Sequence, residues 1–182
     1  MRLYLTEKFS VASEVSKCLP NAARKRGYFQ TDAGIVTWAV GHMLEQAEPE
    51  VYDAKYKKWR LEDLPIIPKE WQLLVVPHCK DQFEIVKTLI EGATEIVHTG
   101  DPDSQGQLLI DEILWYLNNK KPVYRLLLNA LDEKTIRQAL HDLRNNKDFY
   151  TLGQSALARS RADWLFGYPR NKFIRVKKRQ PA

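Results

Sequence analysis

The stretch from His98 to Gln107 holds the two carboxylates in this sequence that are best placed for chemistry. Asp101 and Asp103 lie one residue apart in a segment flanked by glycines. Two aspartates at this spacing in an extended turn can direct their oxygens at one point. Two such oxygens are a typical protein contribution to a Mg²⁺ site. A plainer interpretation is also open, because Asp-Pro is a common turn sequence and Asp often caps the following helix.

The residues on either side predict a strand before this stretch and a helix after it. Residues 95–97 form a short apolar run that is typical of a buried strand. Leu109, Ile113 and Leu117 recur at i, i+4 and i+8, which predicts one buried helix face. Ligands in open α/β sheets bind at loops that leave the carboxyl ends of strands. The two aspartates therefore occupy a position where a binding site is expected.

A third carboxylate, Glu7, is predicted to occupy an equivalent position near the start of the chain. Residues 3–6 predict the first strand, and the helix that follows is expected to be capped by Ser10 and to end before Pro20. Glu7 and Lys8 thus come directly after a strand. From position alone, a solvated turn is the simpler interpretation of this pair.

The order of elements predicts an α/β domain with a mostly parallel sheet and helices on both faces. Further strands are expected at residues 35–40, 73–76, 95–97 and 123–128, and further helices at residues 83–90 and 132–143. Residues 21–34 are expected to form a loop and residues 48–71 an irregular excursion. Its aromatic residues either stack on nucleic acid bases or, as we favour, pack on their own domain. They include Tyr52, Tyr56, Trp59 and Trp71.

Length, composition and charge indicate the domain organisation. The expected domain spans residues 1–150, residues 151–167 begin a further helical unit, and residues 168–182 form a basic tail expected to be disordered. The formal net charge of +5 belongs to that tail, which carries six basic residues and no acidic one. The sequence shows no membrane span, secretory signal or metal-type cysteine pair. Free thiols and a cytoplasmic location are therefore expected.

Four motifs along the chain carry a family resemblance. Residues 5–12 are similar to EKPS-A, residues 36–45 to VTW-GH-LE, residues 101–109 to DPDREGQLL, and residues 155–165 to SALARARADWL. In this order they resemble the Toprim domain of type IA topoisomerases, and within that family the N-terminal part of bacterial topoisomerase III. The resemblance extends to about residue 167.

The resemblance implies a reaction and roles for several residues. In type IA enzymes a tyrosine attacks a phosphodiester of single-stranded DNA, and the break is later religated without ATP. Glu7 is implied in proton transfer at the leaving 3′ oxygen, and Lys8 in stabilising charge on the scissile phosphate. Glu7, Asp101 and Asp103 are implied as Mg²⁺ ligands.

Two arginines in the fourth motif are candidates for binding the DNA backbone together with Lys8. Arg159 and Arg161 lie on the predicted helix of residues 152–166. An exposed helix face with a local pair to Asp163 explains them equally well.

Three positions depart from the family pattern. Ser104 stands where the family has Arg, Gln105 where it has Glu, and Phe9 where it has Pro. Because cation affinity follows the charge of the ligands, Gln105 predicts weakened or absent Mg²⁺ binding. Without Arg at position 104, this chain lacks a guanidinium that could bind phosphate there through two parallel hydrogen bonds.

The resemblance also implies that the nucleophilic tyrosine belongs to a later domain. None of the eight tyrosines here has its sequence context. This chain is therefore expected not to cleave DNA alone. Three hypotheses follow: a truncated topoisomerase part, a stand-alone degenerate Toprim protein that binds single-stranded nucleic acid or a protein partner, and, least favoured, an independent Toprim nuclease.

Overall fold

The computed structural model describes residues 1–58 and 60–177, with the backbone alone at Leu61 and at residues 168–177. The strands are β1 (Arg2–Thr6), β2 (Ala23–Lys25), β3 (Tyr28–Thr31), β4 (Gly34–Trp38), β5 (Leu44–Gln46), β6 (Leu73–Val75), β7 (Glu95–Thr99), β8 (Val123–Arg125) and β9 (Arg144–Asn145). The α-helices are α1 (Phe9–Lys17), α2 (Pro49–Tyr52), α3 (Lys80–Gly92), α4 (Ser104–Tyr116), α5 (Glu133–His141) and α6 (Tyr150–Lys177).

Seven strands form the central sheet in the order β2-β3-β4-β1-β7-β8-β9. The four inner strands β4, β1, β7 and β8 run parallel, and β2, β3 and β9 pair antiparallel at the edges. The predicted mostly parallel sheet is therefore confirmed. Thr6 at the end of β1 pairs with Trp38 and with Thr99. The carboxyl ends of three neighbouring strands are thus level with one another.

Helices cover both faces of this sheet, as predicted. Side chains of β1 alternate between the faces, so Leu3 and Leu5 pack in one cluster while Tyr4 packs in the other. The first cluster includes Phe83 of α3 and residues of α4, and the second includes Ile136 of α5 and residues of α1. Each such buried apolar side chain contributes about 1.5–3 kcal/mol.

Two sequence expectations about strands are wrong. Residues 21–34 were expected to form a loop but contain the hairpin β2–β3, which turns at Gly27 with φ of +81°. The strand at residues 73–76 was expected in the main sheet. The observed β6 pairs instead with β5 in a separate two-stranded sheet, where Leu74 is 39% exposed. A short apolar run predicts a strand without specifying its partner.

The expectation that Ser10 caps α1 is also wrong. The helix begins at Phe9, so Lys8 is the N-cap residue and contributes no side-chain capping bond. The hydroxyl of Thr6 instead donates to the Lys8 carbonyl oxygen at 2.9 Å. In contrast, Asp132 caps α5 as predicted, by accepting from the amide of Thr135.

The segment from residue 48 to residue 71 is irregular, as predicted, and two of its aromatic rings pack against another part of this chain. Tyr52 and Trp71 both contact the ring of Trp164 edge-on, with centroids 6.0 and 5.3 Å apart. Trp59 lies outside the described residues. These contacts favour the packing interpretation for Tyr52 and Trp71.

Helix α6 packs against α4 and the small sheet. Ala156 is 2% exposed, and Trp164 Nε1 donates to the Ala47 carbonyl oxygen at 3.1 Å. The backbone of residues 168–177 continues α6 where the sequence predicted a disordered tail, and residues 178–182 lie outside the described residues. Whether this tail is ordered in solution stays a prediction. None of the described helices combines the length and apolar content needed to cross a bilayer.

Candidate functional site

The level ends of β1 and β7 bring Glu7, Lys8 and Asp101 into contact. The amide of Asp101 donates to Glu7 Oε2 at 3.2 Å. The ammonium nitrogen of Lys8 lies 2.8 Å from Asp101 Oδ2 and 3.2 Å from Glu7 Oε1. Residues from two distant parts of the sequence thus form one charged cluster at the sheet edge.

Lys8 lies between these two carboxylates and remains accessible to solvent. Hydrogen bonds with Asp101, and then with Glu7, raise the pKa of Lys8 above its ordinary value. The side chain of Lys8 is 53% exposed and that of Asp101 is 38% exposed, whereas that of Glu7 is only 13% exposed. Exposed ion pairs of this kind contribute little to folding stability. The cluster is therefore better suited to binding than to stabilising the fold.

Asp103 caps α4 as the plainer interpretation predicts. Its Oδ1 accepts from the amide of Gly106 at 2.8 Å, which leaves Oδ2 outside this bond. Ser104 and Gln105 follow in the first turn of α4, where the side chain of Gln105 is exposed. Because the cap uses Oδ1, it does not prevent Oδ2 from binding a metal. A role for Asp103 as a metal ligand stays a prediction.

The donor atoms at this edge meet part of what a Mg²⁺ site requires. Among residues 1–58 and 60–177, no group of three His, Cys, Asp or Glu side chains is arranged to hold a metal. Glu7 Oε1 and Asp101 Oδ2 nevertheless both contact the single ammonium of Lys8, so both lie within reach of one cation. Carboxylate oxygens are the hard ligands that Mg²⁺ takes. The residues present fit this ion through two carboxylates, with Lys8 competing for the same oxygens.

A cleft of about 290 Å³ opens beside the aspartates. It lies between residues 99–103 on one side and residues 128–131 on the other, with Val11 of α1 also at its wall. The cleft gives a ligand access to Asp101 and Asp103 from the side of α1.

A buried arginine, which the sequence analysis missed, holds the loop that carries the aspartates. Arg125 is completely buried at the end of β8. Its guanidinium donates to the carbonyl oxygens of His98, Gly100, Leu126 and Asp101 and to Oε1 of Gln107 at 2.8–3.2 Å. A charged residue inside the apolar run of residues 123–128 is the sequence signal that marks it, because a buried charge requires partners.

The electrostatics of Arg125 reflect its position behind the site. Burial lowers the pKa of Arg125 to about 10, so the side chain stays charged at neutral pH. The negative charges of Asp111, then Asp101, Asp103 and Glu7, oppose that lowering. The guanidinium therefore supplies a fixed positive charge beneath the acidic cluster.

His98 is neutral and has a defined tautomer. Its Nδ1 accepts from the amide of Gly100 at 3.2 Å, so the proton is assigned to Nε2, which donates to the Gln107 carbonyl oxygen at 3.0 Å. Complete burial, and then the charge of Arg125, lower the pKa of His98 well below its ordinary value. The 3.8 Å approach of Asp111 to Nε2 is therefore not an ion pair. His98 helps to hold the loop and carries no charge into the site.

Two glycines allow the loop to lie directly on the first turn of α4. A methyl group at Gly100 would overlap the carbonyl group of Gly106, and a methyl group at Gly106 would overlap the backbone of Asp101. The obstructing atoms are backbone, which cannot rotate away. Both positions therefore require glycine for the observed placement of Asp101.

Arg161 does not occupy the exposed position that one interpretation assigned to it. Its guanidinium carbon lies 5.1 Å from the ring centroid of Trp71, and its buried Nε has no hydrogen-bond partner within the described part of the chain. Arg159 is exposed on α6. Neither arginine forms an ion pair with Asp163 among the described residues. Binding of the DNA backbone by these arginines stays a prediction.

Glu112 and Arg161 both line a cavity of about 280 Å³. Glu112 is 6% exposed, and burial raises its pKa from 4.5 to about 7 against the opposing charge of Arg161. Gln46, Trp71 and Trp115 complete much of the lining. The sequence analysis missed Glu112, which falls on the buried side of α4.

Comparisons with known proteins agree with the predicted fold and family. Residues 2–146 match the family described as the Toprim domain. The chain is 46% identical over 172 residues to DNA topoisomerase 3 of Vibrio cholerae, covering 91% of this chain and 27% of that protein. It is 45% identical over 173 residues to DNA topoisomerase 3 of Salmonella typhimurium, covering 92% of this chain and 27% of that protein. The chain thus spans about a quarter of the length of these relatives.

A solved structure shows the same fold at lower sequence identity. The full-length topoisomerase I from Thermotoga maritima matches 86% of this chain and 23% of its own, with a TM-score of 0.57 and 18% identity. At this identity the match supports the fold alone.

Proposed function

The chain belongs to the Toprim domain family, and from this premise we propose that it supplies the acidic, DNA-binding part of a type IA DNA topoisomerase. The observation that carries the proposal is the contact of Lys8 with both Glu7 and Asp101 at the edge where β1 and β7 end. A phosphodiester requires a cation for its charge and a carboxyl group for its leaving oxygen. Both types of group lie here within a few ångströms of each other.

Glu7 is proposed to transfer a proton at the leaving 3′ oxygen of the cleaved strand. The Asp101 amide holds its Oε2, so the side chain keeps one orientation beside Lys8. A placed acid or base contributes about 10²–10⁴-fold to such a step. Lys8 is half exposed and can direct its ammonium at the scissile phosphate, where charge develops during the reaction.

Glu7, Asp101 and Asp103 are proposed to hold Mg²⁺. The ion, when bound, supplies positive charge that neutralises the phosphate and helps to orient it. Lys8 must then give up its contacts with the carboxylates, which its solvent exposure permits. Gln105 contributes no charge in the first turn of α4, so the affinity of this site for Mg²⁺ is proposed to be weak.

We further propose that these 182 residues do not relax or cleave DNA by themselves. This proposal is supported by the resemblance, which implies that the attacking tyrosine belongs to a later domain, and by the matched region, which spans 27% of the length of the relatives. Of the tyrosines here, Tyr4 is only 3% exposed within β1 and is unsuited to attack a phosphodiester.

A second candidate is a stand-alone Toprim protein that binds single-stranded nucleic acid or a protein partner without catalysis. It is favoured by Ser104 and Gln105, which replace a charged pair of the family pattern beside the aspartates. The coding sequence beyond codon 182 separates the two candidates. A continuing topoisomerase reading frame supports the first, and a gene boundary supports the second.

The experiment compares three proteins by calorimetry: this chain, Gln105→Glu, and the double variant Asp101→Asn/Asp103→Asn. The affinity for Mg²⁺ is expected to rise with the added carboxylate and to vanish in the double variant. Equal affinity in all three would mean that these residues form no metal site. Relaxation of supercoiled plasmid by the purified chain would refute the proposed lack of activity.

A further inference from the structure

The side chain that follows Lys8 is an aromatic ring fixed at the surface. Phe9 is 40% exposed in the first turn of α1. Its ring stacks on Phe29 with centroids 5.9 Å apart and meets the ring of Trp38 edge-on at 5.0 Å. Phe29 and Trp38 are themselves only 8% and 9% exposed. Because two buried rings support it, the exposed ring of Phe9 has a fixed position.

An arginine lies over this ring. The guanidinium carbon of Arg24 is 5.0 Å from the centroid of Phe9. Arg24 belongs to β2, whose residues are all exposed, and within the described residues it pairs with no carboxylate. Its neighbour Arg26 does pair, with Asp81 at 3.8 Å. A guanidinium held on an aromatic face keeps its N–H groups available for phosphate and its plane available for stacking.

We propose that Phe9 and Arg24 form a binding surface for the nucleotide of single-stranded DNA that adjoins the phosphate at Lys8. The base stacks on the Phe9–Arg24 pair, and the backbone phosphate accepts hydrogen bonds from Arg24. The proposal rests on the DNA-binding role given above and names the surface that carries part of it.

Position and charge support this assignment. Phe9 follows Lys8 directly, and neighbouring Cα atoms are about 3.8 Å apart. The aromatic residue is therefore adjacent to the lysine of the acidic cluster. The hairpin strand β2 adds the exposed cation of Lys25 to that of Arg24. Alternating cations and exposed rings are the combination that single strands bind without regard to sequence. The family pattern has Pro at position 9, so that pattern does not include this aromatic side chain.

The test measures binding of a fluorescein-labelled oligothymidylate to the full chain by anisotropy at low salt. Phe9→Pro removes the ring but suits the first helical position, where the fixed φ of proline is tolerated. Arg24→Gln removes the cation, and Arg26→Gln is the matched control on the same hairpin. Both test variants are expected to weaken binding about tenfold, the effect of losing one stacked base. The control is expected to change binding less than twofold.

Salt dependence and an abasic oligonucleotide separate the two contacts. Arg24→Gln is expected to reduce the slope of log affinity against log salt by about 0.7, the value for one phosphate of a single strand. Phe9→Pro is expected to leave that slope unchanged and to have no effect on binding of the abasic strand. Phe9→Leu, which keeps an apolar side chain, serves in place of Phe9→Pro if circular dichroism shows that the latter unfolds.

The outcomes distinguish this inference from the proposed function. If the wild-type chain binds DNA and all variants bind equally, the Phe9–Arg24 surface is refuted while the proposed function stands. If the wild-type chain binds neither the normal nor the abasic strand, both the surface and the DNA-binding role are refuted. The Mg²⁺ measurements on Gln105→Glu then still report on the acidic cluster independently.

Discussion

The ammonium nitrogen of Lys8 lies 2.8 Å from Oδ2 of Asp101, a residue 93 positions further along the chain. The contact depends on the pairing of β1 with β7, which sets Thr6 beside Thr99. It places a positive charge of the chain where a bound cation would contact the same carboxylate. In the proposed function, Lys8 is therefore both the group that binds phosphate and a competitor of Mg²⁺ for these carboxylates.

Replacement of Lys8 by Met is expected to raise the affinity for Mg²⁺ about fivefold. Two unit charges about 4 Å apart repel each other by roughly 1 kcal/mol in water and by more near a protein surface, so fivefold is the lower limit for a divalent ion. Calorimetric titration measures the change. Lys17→Met, which removes an exposed lysine paired with Glu14, is the control and should have no effect. Unchanged affinity in Lys8→Met would show that Lys8 and Mg²⁺ do not share ligands.

Arg125→Gln is expected to lower the free energy of unfolding by about 3–5 kcal/mol, the loss typical when a buried charged network is broken. Arg125→Lys should be nearly as harmful, because an ammonium cannot reproduce the planar fork that bonds several carbonyl groups. Urea denaturation followed by circular dichroism measures both. Arg144→Gln, on the exposed edge strand β9, is the control. A loss below about 1 kcal/mol for Arg125→Gln would contradict its role in holding the loop.

Gly106→Ala is expected to destabilise the protein by at least about 1–3 kcal/mol, because the added methyl group overlaps the backbone of Asp101. Gly92→Ala is the matched control, since a methyl group there meets nothing within 4 Å. It should be neutral or stabilise by up to about 1 kcal/mol, as Ala favours the helix. Thermal unfolding compares the two variants. Equal stability would show that the loop can move away from α4.

Glu112→Gln is expected to stabilise the protein increasingly as the pH rises. The folded-state pKa of Glu112 is raised from 4.5 to about 7, so the folded protein retains this proton more tightly than the unfolded chain. The associated stability is complete below about pH 4.5 and is lost as the pH rises through 7. The variant should therefore match the wild type at acidic pH and exceed it by up to about 3 kcal/mol at pH 8.

Urea midpoints measured across this pH range test the expectation for Glu112. Glu91→Gln, an exposed position on α3, is the control and should show no such trend. A difference between Glu112→Gln and the wild type that does not change with pH would mean that Glu112 ionises freely in the folded protein.

Much of the fold was predictable because its elements have local signatures. The apolar runs of β1, β4 and β7 and the helical spacing of Phe83, Val86 and Ile90 each predict an element from a few neighbouring residues. The order of these elements then predicts a parallel sheet. Since parallel strands end at the same edge, Glu7 and the two aspartates could be assigned to one edge without coordinates.

What the tertiary structure alone decided is how distant residues meet. The spacing of apolar residues and the composition do not specify that β6 pairs outside the main sheet. Nor do they specify that Arg24 lies over Phe9 or that Arg125 supports the loop of Asp101. Each of these depends on a partner far away in the sequence, chosen by the packing of the whole domain. The sequence determined which residue types lie near the edge of the sheet. The tertiary structure determined that Lys8 contacts two of the carboxylates and that Asp103 caps its own helix. The physical reason is that the groups competing for each carboxylate oxygen come together only when the strands are paired.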